Sequence, residues 1–439
     1  MKKLFDQFDS VDFVSWKEKI TTDLKGKPID VLASNPEMDI EIVAYHHADN
    51  KAPSKNIGIS NTSDWKIRRT YSDNTKNDEL LSDLNNGVDA IGLTYGENFL
   101  SQTKDILFDH ILSDVYFKDL TQTIEATVPT DANINCDIFG RAAKRGRWPE
   151  TRGNFSAFVK KFPKNKTIWI AASIYGDAGA TSIQELAIAL AQLNDYVQPM
   201  VDSGHTLEEI HSKIVIELSV NENYFVNIAK MRVMRLLVAG LFEAHSAGFK
   251  GDPISLYAST SVRHLAENDE NNNLLRQTTQ AMSAVIGGCD VVTIQAKESS
   301  DEEQNMINKR MAKNIQLVLK EEAYLSVVKD PSEGSYYLNA LTEQILTKAW
   351  GLFKDIEKEG GFCSALESNF IQNKIEENQA YMIAQMNDSK RTFLGINKHQ
   401  SELEEWKEVE INDSTQQQTA FKPIKPFSLE THYKNTQMA

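Results

Sequence analysis

A serine, a tyrosine and a carboxylate crowd the end of one apolar run: Ile168-Trp169-Ile170-Ala171-Ala172-Ser173-Ile174-Tyr175-Gly176-Asp177-Ala178-Gly179-Ala180-Thr181. The pattern reads as a buried strand ending in a polar loop that opens a long helix. In α/β folds, strand ends of this kind are where chemistry is displayed. Asp177 has two readings there, a functional carboxylate or a residue that caps the loop. His264, beside Arg263, is a second candidate, because the residues just before it read as a strand. The other histidines carry less. His46-His47 follows a β-like run at 40–45. Neighbours on a strand face opposite ways, so the pair cannot easily chelate one metal and reads as structural. Glu243-Ala244-His245-Ser246-Ala247-Gly248 closes a helical pattern, where a cation and a capping glycine are both favourable.

The acidic clusters have plain readings. Asp301-Glu302-Glu303 charges the start of a helix, and Glu321-Glu322 and Glu404-Glu405 are solvated faces. No CxxC, HExxH, Walker A, GxSxG or GxGxxG pattern occurs, so no metal site is expected. One segment reverses the chain's charge. Arg141, Lys144, Arg145, Arg147, Arg152, Lys160, Lys161, Lys164 and Lys166 lie close together with Glu150 as the only acid among them. This segment either binds phosphate or docks an acidic partner surface. The aromatic neighbours Trp148 and Phe155 favour the interface.

These residues need a scaffold of some size. The chain has 439 residues and 41% hydrophobic residues, enough for one large barrel with extensions or for two domains. A net charge of −15 disfavours nucleic acid and anionic membrane as partners. No apolar run is long enough to span a bilayer. The N-terminus meets acid at Asp6, too early for a signal peptide. Three separated cysteines (Cys136, Cys289 and Cys363) fit a reducing cytoplasm.

Short Val- and Ile-rich runs alternate with helical patterns. Strands are expected at 88–95, 114–117, 133–139, 167–174, 214–220, 254–259, 290–295 and 324–328. Most are continuously apolar, as in a parallel sheet covered on both faces. Helices are expected at 182–200, 223–247, 271–286, 301–322 and 341–385, the last broken at Gly360-Gly361. The expectation is an α/β fold, a (β/α)8 TIM-like barrel at 61–385, with an N-terminal arm at 1–60 and a helical or extended C-terminal tail at 386–439. An open doubly wound sheet is the alternative.

Several segments, in order, resemble the methylmalonyl-CoA mutase family of cobalamin-dependent acyl-CoA mutases. The strand-end run quoted first is similar to the family's fourth-strand motif, which ends in Ala-Gly-Ala-Thr. Trp65-Lys66-Ile67-Arg68-Arg69-Thr70-Tyr71 resembles the segment leading into the barrel. Asn223-Tyr224-Phe225 with Ala229-Lys230-Met231-Arg232 resembles one family helix, and Arg310-Met311-Ala312-Lys313-Asn314-Ile315-Gln316 another. Asp330-Pro331 with Gly334-Ser335-Tyr336, Leu341-Thr342, and Leu394-Gly395-Ile396-Asn397-Lys398 follow in family order. The similarity runs from about residue 65 to 430.

The departures fall at the chemistry. Active members carry a Tyr-His pair just before Ala-Gly-Ala-Thr, where this chain has Ser173 and Ile174. Serine is too short for the tyrosine's task, and isoleucine has no donor for a thioester carbonyl. The family's Thr-Ile-Gln-Asn-Asp maps onto Asn133-Ile134-Asn135-Cys136-Asp137, so Asn135 is also altered. The channel-lining run becomes Tyr257-Ala258-Ser259-Thr260-Ser261-Val262-Arg263, and Arg263 obstructs or rewires that wall. What remains of the substrate pocket would be Ser173, Tyr175, Ser259 and Arg263. Coenzyme A carries three phosphate groups, which keeps the phosphate reading of Arg141, Arg145, Arg147, Trp148 and Arg152 open. The chain ends at Ala439, roughly where the family's cobalamin module begins.

The resemblance therefore implies a non-catalytic small subunit of a heterodimeric mutase, with no catalytic residues and no cofactor of its own. Adenosylcobalamin and the chemistry would belong to a large partner subunit, and the isolated chain could pair with itself. Two alternatives stand. One is an active acyl-CoA mutase barrel that takes cobalamin from a separate chain. The other is a barrel enzyme of another class, using His264 or Asp177.

Overall fold

The computed structural model describes residues 7, 9, 11–50, 64–117, 128–129, 131–148, 166–267, 271–299, 301–400 and 419–438. Eight parallel strands close into a barrel: β3 (Lys66–Tyr71), β4 (Ala90–Thr94), β5 (Leu112–Tyr116), β6 (Asn133–Cys136), β7 (Lys166–Ala171), β8 (Ile214–Val220), β9 (Ser255–Thr260) and β10 (Val291–Thr293). β10 pairs with β3, with Val292 beside Ile67, and this seam rules out an open sheet. Ahead of the barrel, a small antiparallel hairpin is made of β1 (Ser34–Glu37) and β2 (Ile40–Ile42).

The helices in chain order are α1 (Phe13–Asp23), α2 (Asn77–Asn85), α3 (Phe99–Gln102), α4 (Ile138–Arg145), α5 (Ser173–Asp177), α6 (Ser182–Asp202) and α7 (Leu207–His211). They continue with α8 (Tyr224–His245), α9 (Asn272–Ile286), α10 (Glu302–Leu317), α11 (Tyr336–Lys358), α12 (Gly361–Glu367), α13 (Phe370–Asn387) and α14 (Leu429–Met438). α6 starts on a capping box, with Thr181 and Gln184 each satisfying the other's backbone N–H. No helix among the described residues is long and apolar enough to cross a membrane.

The expected strand at 324–328 does not exist. Its place in the barrel belongs to β3, six residues earlier read only as a lead-in. The reason is physical. Tyr324 adopts a left-handed backbone (φ 54°), and Tyr324, Val327 and Val328 are exposed on the outside. β3 looks polar because it alternates: Ile67 and Tyr71 pack outward into the core while Arg68 points into the barrel. The expected strands at 133–139 and 167–174 each stop three residues early. Asp137 ends β6 by accepting from Gly140 N at 2.8 Å as the cap of α4. Ala172 ends β7 by starting the turn that becomes α5.

The outward faces of the strands and the helices share one large core. The stretch after residue 418 joins it: Phe421 and Ile424 are buried there, while Phe427 and Leu429 pack with Met382, Met386 and Phe393. Backbone bonds from Ile424 N to Ala143 O (2.8 Å) and from Phe427 N to Asp177 O (2.9 Å) stitch this stretch across the barrel's C-terminal side.

Candidate functional site

The lumen is full of side chains. Ala90, Trp169, Val215, Tyr257 and Val291 form an inner cluster, with Leu112, Tyr116 and Ala171 against it. Strand side chains alternate, so the next inward positions toward the C-terminal ends are Gly92, Asp114, Glu217, Ser259 and Thr293. Into this layer β3 sends Arg68, which is 1% exposed. Its Nε donates to Asp114 Oδ2 at 3.0 Å and its Nη1 to Thr293 Oγ1 at 3.0 Å. Nη2 bonds the Tyr116 hydroxyl, and Glu217 Oε2 lies 3.7 Å from Nη1. The guanidinium also stands 5.5–5.8 Å from the rings of Tyr116, Trp169 and Tyr257. A Cβ at position 92 would overlap Arg68, which makes glycine necessary there. Burial pushes the carboxyls of Asp114 and Glu217 up, and the charge of Arg68 opposes this in both.

At the C-terminal mouth the expected site residues are all engaged by neighbouring side chains or backbone. Ser173 Oγ donates to Glu217 Oε1 at 2.7 Å. Ile174 packs against the outer core. Tyr175 is fully buried in the helix layer, not in the lumen, and donates to Gln192 Oε1 at 2.5 Å. Ser259 Oγ accepts from Gln295 Nε2 at 2.9 Å, and Asn135 Oδ1 accepts from Thr167 Oγ1 at 2.5 Å. Arg263 does not line a channel. Its Nη1 donates to Gly176 O (3.3 Å) and Ala180 O (2.9 Å), and its Nη2 lies 3.5 Å from Glu222 Oε2. The arginine thus ties the turn after β9 to the loop after β7. His264 Nδ1 lies 2.9 Å from the same Glu222 oxygen, and burial lowers the imidazole's pKa.

Asp177 is an organiser of loops. Its Oδ1 accepts from Ser261 Oγ (2.8 Å), Ser219 Oγ (2.9 Å) and Val262 N (3.3 Å). Burial pushes it up to about 6. A folded-state value above the unfolded 3.8 means that the folded chain binds the extra proton, so its contribution to stability is lost as pH rises from about 4 to about 6. Asp177→Asn keeps the accepting oxygen without the charge. In urea unfolding the variant should gain on the parent between pH 4 and pH 7.5, by at most about 3 kcal/mol. A constant difference across that range would contradict the assignment.

The basic segment divides. Lys144 and Arg145 sit in the last turn of α4, where the helix dipole favours cations. Arg147 is exposed and Arg141 half-buried. Trp148 is not a free aromatic: its Nε1 donates to Glu367 Oε1 at 2.6 Å and its ring meets Phe139 and Phe421 edge-on. Arg152, Phe155 and the lysines at 160, 161 and 164 lie outside the described residues.

Among the described residues no three His, Cys, Asp or Glu side chains gather to hold a metal. His264 is committed to Glu222, and His245 ends α8 with Nε2 3.0 Å from Asn194 Oδ1.

The methylmalonyl-CoA mutase family model matches residues 150–436. This chain belongs to that family. The methylmalonyl-CoA mutase small subunit of Porphyromonas gingivalis is 29% identical, over 90% of this chain and 71% of that protein. The small subunit of Streptomyces virginiae is 28% identical, over 71% of this chain and 54% of that one. The methylmalonyl-CoA mutase of Rhizobium meliloti is 31% identical, over 56% of this chain but only 35% of its own length. In this family member the family-like helix segments make internal contacts. Lys230 bonds Glu185 inside α6–α8 packing, and Gln316 accepts from the Trp65 indole at 3.3 Å.

Sequence reasoning missed the lumen cluster. Asp114 and Glu217 were each a lone acid in an otherwise apolar run, and an acid in a buried strand needs a buried cation. That was the available signal for Arg68.

Proposed function

We propose that this chain is the non-catalytic small subunit of a heterodimeric methylmalonyl-CoA mutase. Its relatives include two proteins named as small subunits. One observation carries the non-catalytic part. Where an acyl thioester would thread the barrel, Arg68, Asp114, Glu217 and three aromatic rings occupy the axis. Ser173 and Ile174, at the positions of the family's Tyr-His pair, bond Glu217 and pack in the core respectively. Adenosylcobalamin, in the large partner subunit, would supply the radical that drives the rearrangement. This chain's share is a rigid barrel face for that partner, with a cytoplasmic location to match.

Co-expression tests the reading. A tagged copy of this chain, expressed with a long mutase chain that carries Tyr-His before Ala-Gly-Ala-Thr, should purify as an equimolar complex that turns over methylmalonyl-CoA. The isolated chain, given adenosylcobalamin and methylmalonyl-CoA, should form no succinyl-CoA and should run as a monomer or self-dimer. Turnover by the isolated chain would favour an active barrel borrowing its cofactor and end this proposal.

A further inference from the structure

The hairpin β1–β2 is held to the barrel by a dense set of polar contacts, with Ile40 and Ile42 against the main core. Glu37 is 3% exposed, and its carboxylate lies at the N-terminus of α6. Oε2 accepts from Ser182 N at 2.6 Å. Oε1 accepts from Ser182 Oγ (2.9 Å), Asn221 Nδ2 (3.1 Å) and Asn223 Nδ2 (3.2 Å). Two residues on, Asp39 Oδ2 accepts from Thr181 Oγ1 at 2.7 Å. The hairpin backbone is gripped as well. Gln344 bonds both N and O of Glu41 at 3.0 Å, Lys348 Nζ bonds Asp39 O at 2.7 Å, and Arg391 Nη2 bonds Pro36 O at 3.2 Å. Ile40 is the one fully buried apolar side chain of the two strands. A two-stranded hairpin this short does not hold its own shape in water, so its order depends on these contacts.

The same contacts reach the mouth. Asn221 and Asn223 flank Glu222, whose carboxylate receives Arg391 at 2.5 Å, His264 at 2.9 Å and Arg263 at 3.5 Å. Burial alone would raise Glu222, but His264, Arg263 and Arg391 hold it well below the usual carboxylate range. The turn between β8 and α8 therefore carries two anchors side by side, one for the arm and one for the loops that close the barrel.

We propose that the β1–β2 hairpin is a releasable strap: seated, Glu37 locks the β8–α8 turn and with it the Glu222 closure of the barrel mouth; lifted, it frees both. Two carboxylates of like charge share one helix N-terminus, which favours the seated state less than a single anion would. Burial, and then Glu37, push Asp39 up to about 6. The charged groups packed around the pair are Lys348 of α11, Arg391 after α13 and Glu222 of the turn; the first turn of α6 offers uncharged donors and Glu185, which is paired with Lys230 of α8. Seating raises Asp39 above its free value, so the strap holds best in mild acid and loosens as pH rises through about 6.

Amide hydrogen exchange on the full-length chain tests this. Ser182 N–H has Glu37 as its acceptor, and Asn223 N–H donates to Asn221 Oδ1 at 2.8 Å. Glu37→Ala should lower the protection factors of both amides by about tenfold or more, while Ile216 and Leu218 in β8 keep theirs. Glu37→Gln, of the same shape, should fall between the two. In the parent, protection at Ser182 should be greater at pH 5 than at pH 7.5, and Asp39→Asn should flatten that difference. Unchanged protection at Asn223 in Glu37→Ala would overturn the coupling. An equal loss across the whole barrel would also overturn it, by reducing Glu37 to an ordinary stabilising contact.

Discussion

Replacing Arg68 with alanine is expected to cost about 3–5 kcal/mol of folding stability. The variant leaves Asp114 and Glu217 enclosed in the lumen without their cation. It also removes the donor to Thr293 and opens a space ringed by Tyr116, Trp169 and Tyr257. Asp114 would keep the 3.3 Å bond from Asn133 Nδ2 and its contact with Asn135, and Glu217 the bond from Ser173. Both carboxyls are already pushed up by burial, and without Arg68 they rise further. The loss should therefore be greater at pH 8 than at pH 5. Urea unfolding at both values measures it. Adding Asp114→Asn and Glu217→Gln to Arg68→Ala should recover most of the loss, because the penalty lies in unpaired charge rather than in the missing side chain. A loss under about 1 kcal/mol would mean that water reaches the cluster and that the lumen is not closed.

The second large effect is expected at Lys230. Its ammonium is fully buried, 2.8 Å from Glu185 Oε2 and also bonded to Ser219 O. Glu185 Oε1 takes the Ser219 N–H at 2.6 Å. One ion pair thus pins α8, α6 and the end of β8 together. Lys230→Ala would strand a carboxylate and a backbone carbonyl at once, again at about 3–5 kcal/mol. Burial already raises the Glu185 carboxyl against the pull of Lys230, so without that lysine it would rise further. Lys230→Met with Glu185→Gln fills similar volume with no charge and should lose much less. Thermal unfolding of the single and double variants separates the two contributions; equal losses would show that packing, not the charge pair, is what matters there.

Much of the barrel was legible before any coordinates. β8 was expected at its observed bounds because Ile214-Val215-Ile216 and Leu218 are apolar on both faces, as a covered parallel strand must be. The start of α6 was expected at residue 182, where it lies, and the structure shows what fixes it there, the capping box of Thr181 and Gln184. β3 was not, because two arginines and a lysine in six residues look solvated until a closed lumen gives Arg68 somewhere to go. The apolar stretch near residue 327 misled for the opposite reason: β-prone residues with no neighbouring strand to pair with remain on the surface. At the site, the absence of a tyrosine and a histidine at positions 173 and 174 was visible from residue types alone. The fate of Arg263 was not, since a long cation can line a channel or clasp carbonyls, and only the position of Gly176 and Ala180 chose between them.

Residue types and their order were enough for an α/β barrel of the mutase family and for a loop after β7 without its family's reacting groups, because periodicity and chemical identity are local properties of the chain. Which charges meet inside it, and which segment covers the rim, came only with closure of the sheet. Arg68, Asp114 and Glu217 stand up to about 150 positions apart, and Glu37 lies still farther from Asn223, so their pairing depends on strand register and on the seam between β10 and β3.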